Sequence, residues 1–500
     1  MYEASDLARS DGWPLVLRVV GLLNISDAPY LVGGWIRDGL LGRASKDIDF
    51  AVAGDGIETA ARVARVLGGT CVALDLENGI GRVVLTGGQS HQGPRTLDFA
   101  SYRGAIQGDL SRRDFTIDAM AVQLHGIRPV ENVHLLDPFG GLEDLKRKVI
   151  RVTTDSALRT DPARLLRAVR LAAHLRFSIE AGTETQVRAN ARLISTVSGE
   201  RVREELVSLL CLPGSGHFLS YMDRLGLLTS VFPEMETTRG VTQPKEHHWD
   251  VLTHSLKTAH ALDFLLRQGD WPYVKVSADE LWSAEIETYF ESMVGSGSNR
   301  AALFRLAALL HDVSKPETRT IEATGRIRFL GHGEEGAELT GGILGRLRFS
   351  NREIRLAVTA VKYHLRPTQM GWPQLPTRRA IYRFCRDADE AAVGIVFLSL
   401  ADHMAARGPL LMPDQWRLHV EISKLLLSHR EDQPAGLSPL IDGYDIMKSF
   451  GLSPGRRVGE LLESVREARA TGDISSREEA LSLVRRLLDA PVSREQKRSE

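Results

Sequence analysis

The pattern of apolar and polar residues changes near residue 159. Before it, short apolar or alternating runs predict strands at Tyr30–Val32, Asp47–Val52, 82–85 and 96–99, with helical segments between them. After it, apolar residues recur at intervals of three and four, which predicts helices. We therefore expect an α+β head followed by an almost entirely helical chain.

Breaks in this pattern divide the chain into four predicted parts. Proline and glycine mark a break between Pro233 and Pro244, and a second one at 432–439. The polar segment 268–300 is expected to be a long loop between helices. The predicted parts are a head (1–150), a helical neck (151–240), a histidine-rich helical domain (241–410) and a helical tail (411–500).

Composition places the chain among soluble globular proteins. Hydrophobic residues make up 43% and charged residues 25%, which excludes a disordered or fibrous protein. The three cysteines are far apart, so neither a disulfide framework nor a zinc finger is expected. No apolar run reaches the roughly 18 residues of a membrane span. We expect a cytoplasmic protein without a membrane partner.

Charge is distributed unevenly although the net charge is only −1. Between Lys146 and Arg176 there are nine basic residues and two acids, a local excess of seven positive charges. Such a segment suits a phosphate-rich partner, and a solvated helix face is the alternative.

Two glycines and two carboxylates form the first group of candidate site residues. Gly33 and Gly34 lie where a predicted strand turns into a helix, and glycine lets backbone amides approach a phosphate. Asp47 and Asp49 are two apart on a predicted strand, so their side chains share one face. Paired carboxylates suit magnesium in phosphoryl transfer, and Asp98 on a later strand offers a third.

Six segments in order carry a resemblance to a known family. They are GGWIRD (Gly33 to Asp38), KDIDF, LDFASYR, RRDFTIDAM, LLDPFGG and TDPARLLRAVR. Together they resemble the class II tRNA nucleotidyltransferase and bacterial poly(A) polymerase family. The resemblance implies a polymerase-β-like head and template-independent addition of CMP and/or AMP, from CTP or ATP, to the 3′ end of tRNA with Mg²⁺.

The resemblance also implies residue roles. Asp47 and Asp49 would hold the catalytic magnesium. The residues expected to bind the nucleotide are Gly33, Gly34, Arg37, Asp38, Arg113, Asp114, Asp161, Arg164, Arg167 and Arg170, with Arg103 as a weaker candidate.

Asp161 and Arg164 are expected to act as a protein template near the start of a helix. Arginine donors and an aspartate acceptor match the pairing edges of cytosine and adenine, whereas uracil and guanine present the opposite pattern. Three positions depart from the family pattern: Thr160 stands where Glu is usual, Asp118 where Asn is common, and Gly39 lies inside a helix.

Histidines form the second group of candidate residues. The segments around His254, His311 with Asp312, and Asp402 resemble the HD superfamily of metal-dependent phosphohydrolases, with His332 and His364 as additions for a second ion. The resemblance implies a divalent metal in an HD domain, where it activates water toward a phosphoester. An HD domain retained only as structure is the alternative.

Several alternatives stay open at this point. The sequence does not separate addition of CCA from addition of CC or of A alone. Two alternative functions are a poly(A) polymerase and a protein that acts chiefly as an HD phosphohydrolase and has a degenerate head. A non-catalytic RNA-binding protein predicts broken carboxylates, and Asp47 and Asp49 are both present.

Overall fold

A computed structural model describes residues 4–85, 95–124, 134–370, 375–431 and 439–489. The chain divides into two compact units. The first contains residues up to 209 and 221–231, and the second contains 210–220 and the residues from 232 onward. Residues 432–438 of the predicted linker and the end of the tail lie outside the described residues.

A mixed sheet is the centre of the first unit. Its order is β3-β4-β5-β2-β1-β6-β7, and β2 and β5 run parallel while the other neighbours are antiparallel. The strands are β1 Tyr30–Val32, β2 Asp47–Val52, β3 Thr70–Asp75, β4 Ile80–Leu85, β5 Arg95–Ser101, β6 Ala121–Gln123 and β7 Leu135–Leu136. The four strands that alternation predicts are therefore present.

One face of this sheet is covered by a helix, and this decides where the acidic side chains point. Ile48 and Phe50 of β2 are fully buried, and the Phe50 ring stacks on Phe99 of β5 with centroids 4.9 Å apart. Buried Ala60 and Val63 lie on the helix Gly56–Leu67, which packs on β4 and β5. Because side chains alternate along a strand, Asp47 and Asp49 lie on the opposite face.

The other elements of the first unit are mostly helical. A short parallel pair, β8 Val149–Ile150 and β9 Ser178–Ile179, is too brief for alternation to predict. The helices are α1 Trp13–Val20, α2 Gly34–Leu40, α3 Gly56–Leu67, α4 Ile106–Ser111, α5 Gly141–Arg147, α6 Ala157–Thr160, α7 Arg164–Leu175, α8 Ala181–Asn190, α9 Gly199–Leu210, α10 Gly216–Arg224 and α11 Leu227–Val231, of which α10 crosses the boundary between the units.

Among its described residues, the second unit is helical apart from the hairpin β10 Arg319–Ile321 and β11 Ile327–Phe329. Nearly every residue of the helix Ala392–Arg407 is buried, and this helix packs on the helices Val251–Leu265 and Arg300–Leu310. The helices are α12 Val251–Leu265, α13 Ala284–Glu291, α14 Arg300–Leu310, α15 Lys315–Thr318, α16 His332–Arg346, α17 Asn351–Tyr363, α18 Arg366–Gln369, α19 Arg378–Ala388, α20 Ala392–Arg407, α21 Pro413–Glu431, α22 Gly443–Phe450, α23 Arg456–Ala470 and α24 Arg477–Asp489.

The prediction of one long loop at 268–300 is wrong in its second half. Ser283 caps α13 by accepting a hydrogen bond from the Ile286 backbone N–H at 3.3 Å. Phe290, which is 2% exposed, packs edge to face against Phe304 and Phe397. The Ser283 cap, the buried Phe290 ring and a hydrogen bond of 2.9 Å from the Tyr289 hydroxyl to the Glu390 carbonyl hold this helix, and none of them produces a periodic apolar pattern.

The last three helices, α22 to α24, share a small core of their own that includes Ile446, Leu461 and Val484. Among the helices of the described residues, none combines the length and apolar character needed to cross a membrane.

Candidate functional site

The two acids of β2 lie beside β5 on the face of the sheet opposite α3, where Asp47 is exposed and Asp49 is half-buried. In the parallel register Asp47 lies opposite Thr96 and Asp49 opposite Asp98. The Thr96 hydroxyl donates a hydrogen bond to Asp47 and so orients its carboxylate. Burial raises the pKa of Asp49 to about 6, and the charges of Asp98 and Asp47 act in the same direction against Arg113. Clustered carboxylates of this kind fit a divalent cation, because the cation relieves their repulsion.

Gly33 is required by the closeness of its turn to Asp49. Its φ is +81°, and a Cβ at this position would lie 2.5 Å from Asp49 Oδ2 and 3.1 Å from Arg113 Nη1. Only glycine adopts this backbone without strain and leaves that space open. The neighbouring Gly34 begins α2, and a Cβ there would lie 3.1 Å from Arg37 Nη2.

Arg37 and Asp38 are buried, and their side chains bind each other. Arg37 donates from Nε and Nη2 to Asp38 at 3.0 and 2.9 Å, and from Nη1 to Asp118 at 2.7 Å. Asp118 thus supplies a second carboxyl partner for Arg37. Burial raises the pKa of Asp118 above its usual value, although Arg37 acts in the opposite direction. Arg37 is therefore a buried residue whose guanidinium is already paired with two carboxyl groups.

Arg113 and Asp114 connect the sheet to the helical region through a network of charges. Arg113 binds Asp109, with Nη2 to Oδ2 at 3.2 Å. Asp114 accepts from its neighbour's backbone N–H at 2.9 Å and from Arg167 Nη1 at 3.1 Å. Two residues predicted separately to bind the nucleotide, Asp114 and Arg167, are therefore in direct contact.

Glu205 of α9 is a residue that the sequence does not single out. Its carboxylate accepts from Arg167 Nε at 2.8 Å and from Arg170 Nε at 2.6 Å, and the residue is 7% exposed. Both arginines are thereby held in place on one side of α7. A buried acid within the amphipathic segment VREELVSLL is the signal that points to such a partner, because an unpaired carboxylate is costly to bury.

Asp161 lies just before the start of α7, close to the helix start that the sequence predicts. It joins α6 to α7 with an extended backbone (φ −139°, ψ 95°), and Arg164 is the first residue of α7. Pro162 explains this extended backbone, because the residue before a proline is driven out of the helical region. Asp161 Oδ2 is 3.7 Å from Arg164 Nε and accepts from Arg201 Nη2 at 2.8 Å.

Two further contacts define this pair. Arg164 donates to the backbone carbonyls of Arg112 at 2.7 Å and Ala157 at 3.3 Å. Although burial acts in the opposite direction, the bonds from Arg201 hold the pKa of Asp161 below its usual value. Asp161 is therefore an ionised acceptor, as a template role requires.

Arg103, the weaker candidate for nucleotide binding, lies apart from Asp47 and Asp49. It follows the end of β5, and its exposed side chain lines a cavity of about 660 Å³ together with Asp55, Glu77 and Arg112. Neither acid of β2 lines this cavity.

The second unit brings its six predicted residues together. His254 Nε2 lies 3.1 Å from His311 Nε2, 3.3 Å from Asp312 Oδ2 and 3.0 Å from Asp402 Oδ1. On the other side of Asp312, Oδ1 lies 3.4 Å from His332 Nε2 and 3.9 Å from His364 Nε2. The ligating atoms fall into overlapping groups that can each hold a metal ion. These six residues are called the histidine cluster below.

The hydrogen bonds of the histidine cluster support metal binding. The Nδ1 atoms of His311, His332 and His364 lie 2.9, 2.6 and 2.6 Å from backbone carbonyl oxygens. A bond from Nδ1 leaves Nε2 as the ligating nitrogen. Within the described residues, the buried Nε2 atoms of His332 and His364 have no hydrogen-bond partner, which fits a divalent metal.

Lys315 also belongs to this site, although the His and Asp motifs do not predict it. Its Nζ is 2.6 Å from Asp312 Oδ2 and 2.7 Å from Gln243 Oε1, and its side chain is 7% exposed. Its position in HDVSK, one helical turn after Asp312, is the sequence signal.

Comparison with family models divides the chain in the same order. Residues 29–151 match the poly A polymerase head domain, residues 176–238 match the probable RNA- and SrmB-binding site of polymerase A, and residues 251–407 match the HD domain. The expected fold class, a nucleotidyltransferase head followed by helical regions with an HD domain, is confirmed.

Curated relatives resemble most of the chain. The A-adding tRNA nucleotidyltransferase of Deinococcus radiodurans is 36% identical over 462 residues, covering 91% of this chain and 94% of the relative. The CC-adding tRNA nucleotidyltransferase of Thermus thermophilus is 32% identical over 459 residues, covering 90% and 91%.

Solved structures share the fold at lower sequence identity. A CCA-adding enzyme in complex with CTP is 22% identical with a TM-score of 0.66, covering 97% of this chain and 98% of that one. The Thermotoga maritima CCA-adding enzyme complexed with tRNA is 22% identical with a TM-score of 0.59 and the same coverage.

Proposed function

Because this chain belongs to the tRNA nucleotidyltransferase family, we propose that it adds CMP, AMP or both, from CTP and ATP, to the 3′ end of tRNA without a nucleic-acid template. The observation that carries the proposal is the pair Asp47 and Asp49 on one face of β2, with the tight turn at Gly33 beside it. The relatives of high coverage favour tRNA over the poly(A) alternative.

The reaction is an in-line displacement at phosphorus. The 3′ oxygen of the RNA bonds to the α-phosphorus of the nucleotide, the bond to the β-phosphate oxygen breaks, and pyrophosphate leaves. Asp47 and Asp49 would hold Mg²⁺, which neutralises the phosphate charge when bound. Thr96 orients Asp47, and Gly33 leaves room beside Asp49 for the phosphates.

The chosen base is read by Asp161 and Arg164 in this proposal. An ionised acceptor beside a guanidinium complements cytosine and adenine and mismatches uracil and guanine. Arg113 and Asp114 would hold the phosphate and sugar, while Glu205 keeps Arg167 and Arg170 on the same side of α7. The predicted division into head, neck, HD domain and tail assigns catalysis to the first 150 residues and base selection to the neck.

A second candidate activity, phosphoester hydrolysis, is favoured by the histidine cluster. Its imidazole and carboxylate groups suit a divalent transition metal or magnesium. Asp312 and Asp402 are anionic there, because the nearby histidines hold their pKa values well below the usual range although burial acts in the opposite direction. Manganese- or nickel-dependent hydrolysis of a 2′,3′-cyclic nucleotide by the purified protein tests this activity.

Extension of defined transcripts tests the main proposal. One tRNA transcript lacks the whole CCA end and the other ends in CC, and each is incubated with Mg²⁺ and with CTP, ATP or both. Extension by one to three nucleotides is the expected result, and its pattern separates CCA, CC and A addition. If the folded protein extends neither transcript, the proposal is contradicted and phosphoester hydrolysis is the remaining candidate activity.

A further inference from the structure

A third carboxylate lies beside the two acids of β2. The parallel register of β2 and β5 places Asp98 directly opposite Asp49, so both side chains lie on the same face of the sheet. The charge of Asp98 contributes to the raised pKa of Asp49, after burial and Arg113. Asp47, Asp49 and Asp98 therefore form one acidic group on two neighbouring strands.

Asp98 differs from the other two because an arginine occupies both of its oxygens. Arg82 of β4 lies opposite Asp98 in the antiparallel register. Its Nε donates to Oδ1 and its Nη2 donates to Oδ2, both at 2.7 Å. Within the described residues, no arginine donates a hydrogen bond to Asp47 or Asp49. A bidentate guanidinium neutralises a carboxylate and fixes its orientation.

We infer that Arg82 is a positioning residue that withholds Asp98 from the divalent metal, so that, of the three acids on β2 and β5, Asp47 and Asp49 bind it and Asp98 does not. The inference rests on the proposed function, which assigns the metal to these two acids. A cation approaching Asp98 meets the positive charge of Arg82, and the Asp98 oxygens already accept strong hydrogen bonds.

This arrangement has a consequence for the order of binding. Magnesium usually takes one or two carboxylates and completes its coordination with water and substrate phosphates. A third available carboxylate would bind the metal more tightly in the absence of nucleotide. By limiting the set to two, Arg82 makes metal binding depend on the arrival of the triphosphate.

A simpler role for Arg82 predicts a different result. A cross-strand ion pair that only stabilises the sheet contributes to folding stability, and its loss does not strengthen metal binding. The affinity for metal without nucleotide therefore separates the two roles, because structural damage weakens binding whereas release of Asp98 strengthens it.

The experiment is a Mn²⁺ titration of the full-length protein, followed by electron paramagnetic resonance of the free ion, without nucleotide or RNA. Asp47→Asn/Asp49→Asn measures the binding that belongs to other sites, including the histidine cluster. We expect Arg82→Gln to bind Mn²⁺ roughly tenfold more tightly at the head site, because one opposing charge at close range is removed. Arg82→Lys keeps that charge and should stay near the wild-type affinity.

The companion variants decide the outcome. Asp98→Asn alone should leave Mn²⁺ affinity unchanged, and Arg82→Gln/Asp98→Asn should return it to the wild-type value. Weaker binding in Asp98→Asn alone, or unchanged binding in Arg82→Gln, overturns the inference and leaves the proposed function standing. If Asp47→Asn/Asp49→Asn binds as much Mn²⁺ as the wild type, the assigned metal site fails, and the inference fails with it.

Discussion

Arg201 of α9 donates a hydrogen bond of 2.8 Å to the carboxylate of Asp161, the residue that we propose as the acceptor of the base template. Forty positions separate the two residues in the chain, and no local spacing links them. The bond fixes the orientation of Asp161 and favours its ionised form.

Removal of Arg201 should therefore loosen base selection. Because half of the Arg201 side chain is exposed, its bond to Asp161 contributes about 1 kcal/mol, and we expect Arg201→Ala to lower discrimination of CTP and ATP over UTP and GTP by roughly fivefold. The kcat/KM for addition of each single nucleotide measures this ratio. Arg192→Ala, which removes an exposed arginine from a neighbouring segment, is the control. Equal loss of discrimination in both variants would contradict the assignment.

Asp47→Asn with Asp49→Asn should abolish nucleotide addition. Loss of both metal-binding carboxylates removes several kcal/mol of charge stabilisation, which corresponds to a decrease of about 10³-fold or more in kcat. A gel-extension assay with the two tRNA transcripts measures the effect, and circular dichroism checks the fold. Asp75→Asn, at the exposed end of β3, is the matched control and should retain activity. Normal extension by the double variant would show that Asp47 and Asp49 are not the catalytic metal site.

Gly33 and Gly42 provide a matched pair for the turn beside Asp49. Both have positive φ, +81° and +68°, but a Cβ on Gly42 meets no atom within 4 Å whereas one on Gly33 meets Asp49 Oδ2 at 2.5 Å. Each alanine variant should lose about 1–2 kcal/mol of folding free energy from backbone strain. Only Gly33→Ala should also lose most of its kcat. Chemical denaturation and transfer assays on both proteins separate these effects, and equal activity would show that the turn is not part of the site.

The histidine cluster should bind metal independently of nucleotide addition. His311→Ala with Asp312→Ala removes a ligand from each of the three metal-binding groups within the histidine cluster, so metal content after exhaustive dialysis should fall. Elemental analysis measures the content. Tyr444→Ala, which changes an exposed residue of α22, is the control. Unchanged metal content in the double variant would show that the cluster is structural, and transfer to tRNA should persist in both proteins.

Local pattern accounts for the parts of the site that lie on one element. Alternation in KDIDF determines that Asp47 and Asp49 share a face, because side chains in a strand have a period of two and Ile48 and Phe50 need burial. The ordered motifs also predict the nucleotidyltransferase head, and the His and Asp motifs predict the histidine cluster. Only the shared face of Asp47 and Asp49 depends on neighbours in sequence; the head and the histidine cluster, whose residues span 254–402, are predicted from the resemblance to known families.

Tertiary structure decided the partners of these residues. Arg82 on Asp98, Glu205 on Arg167 and Arg170, and Arg201 on Asp161 join elements that meet only after folding. Strand register and helix packing place these groups, and neither follows from the period of apolar residues. The sequence by itself determined which acids face outward and which motifs are present, whereas the packed fold decided which charges are paired and which remain open to a metal or a base.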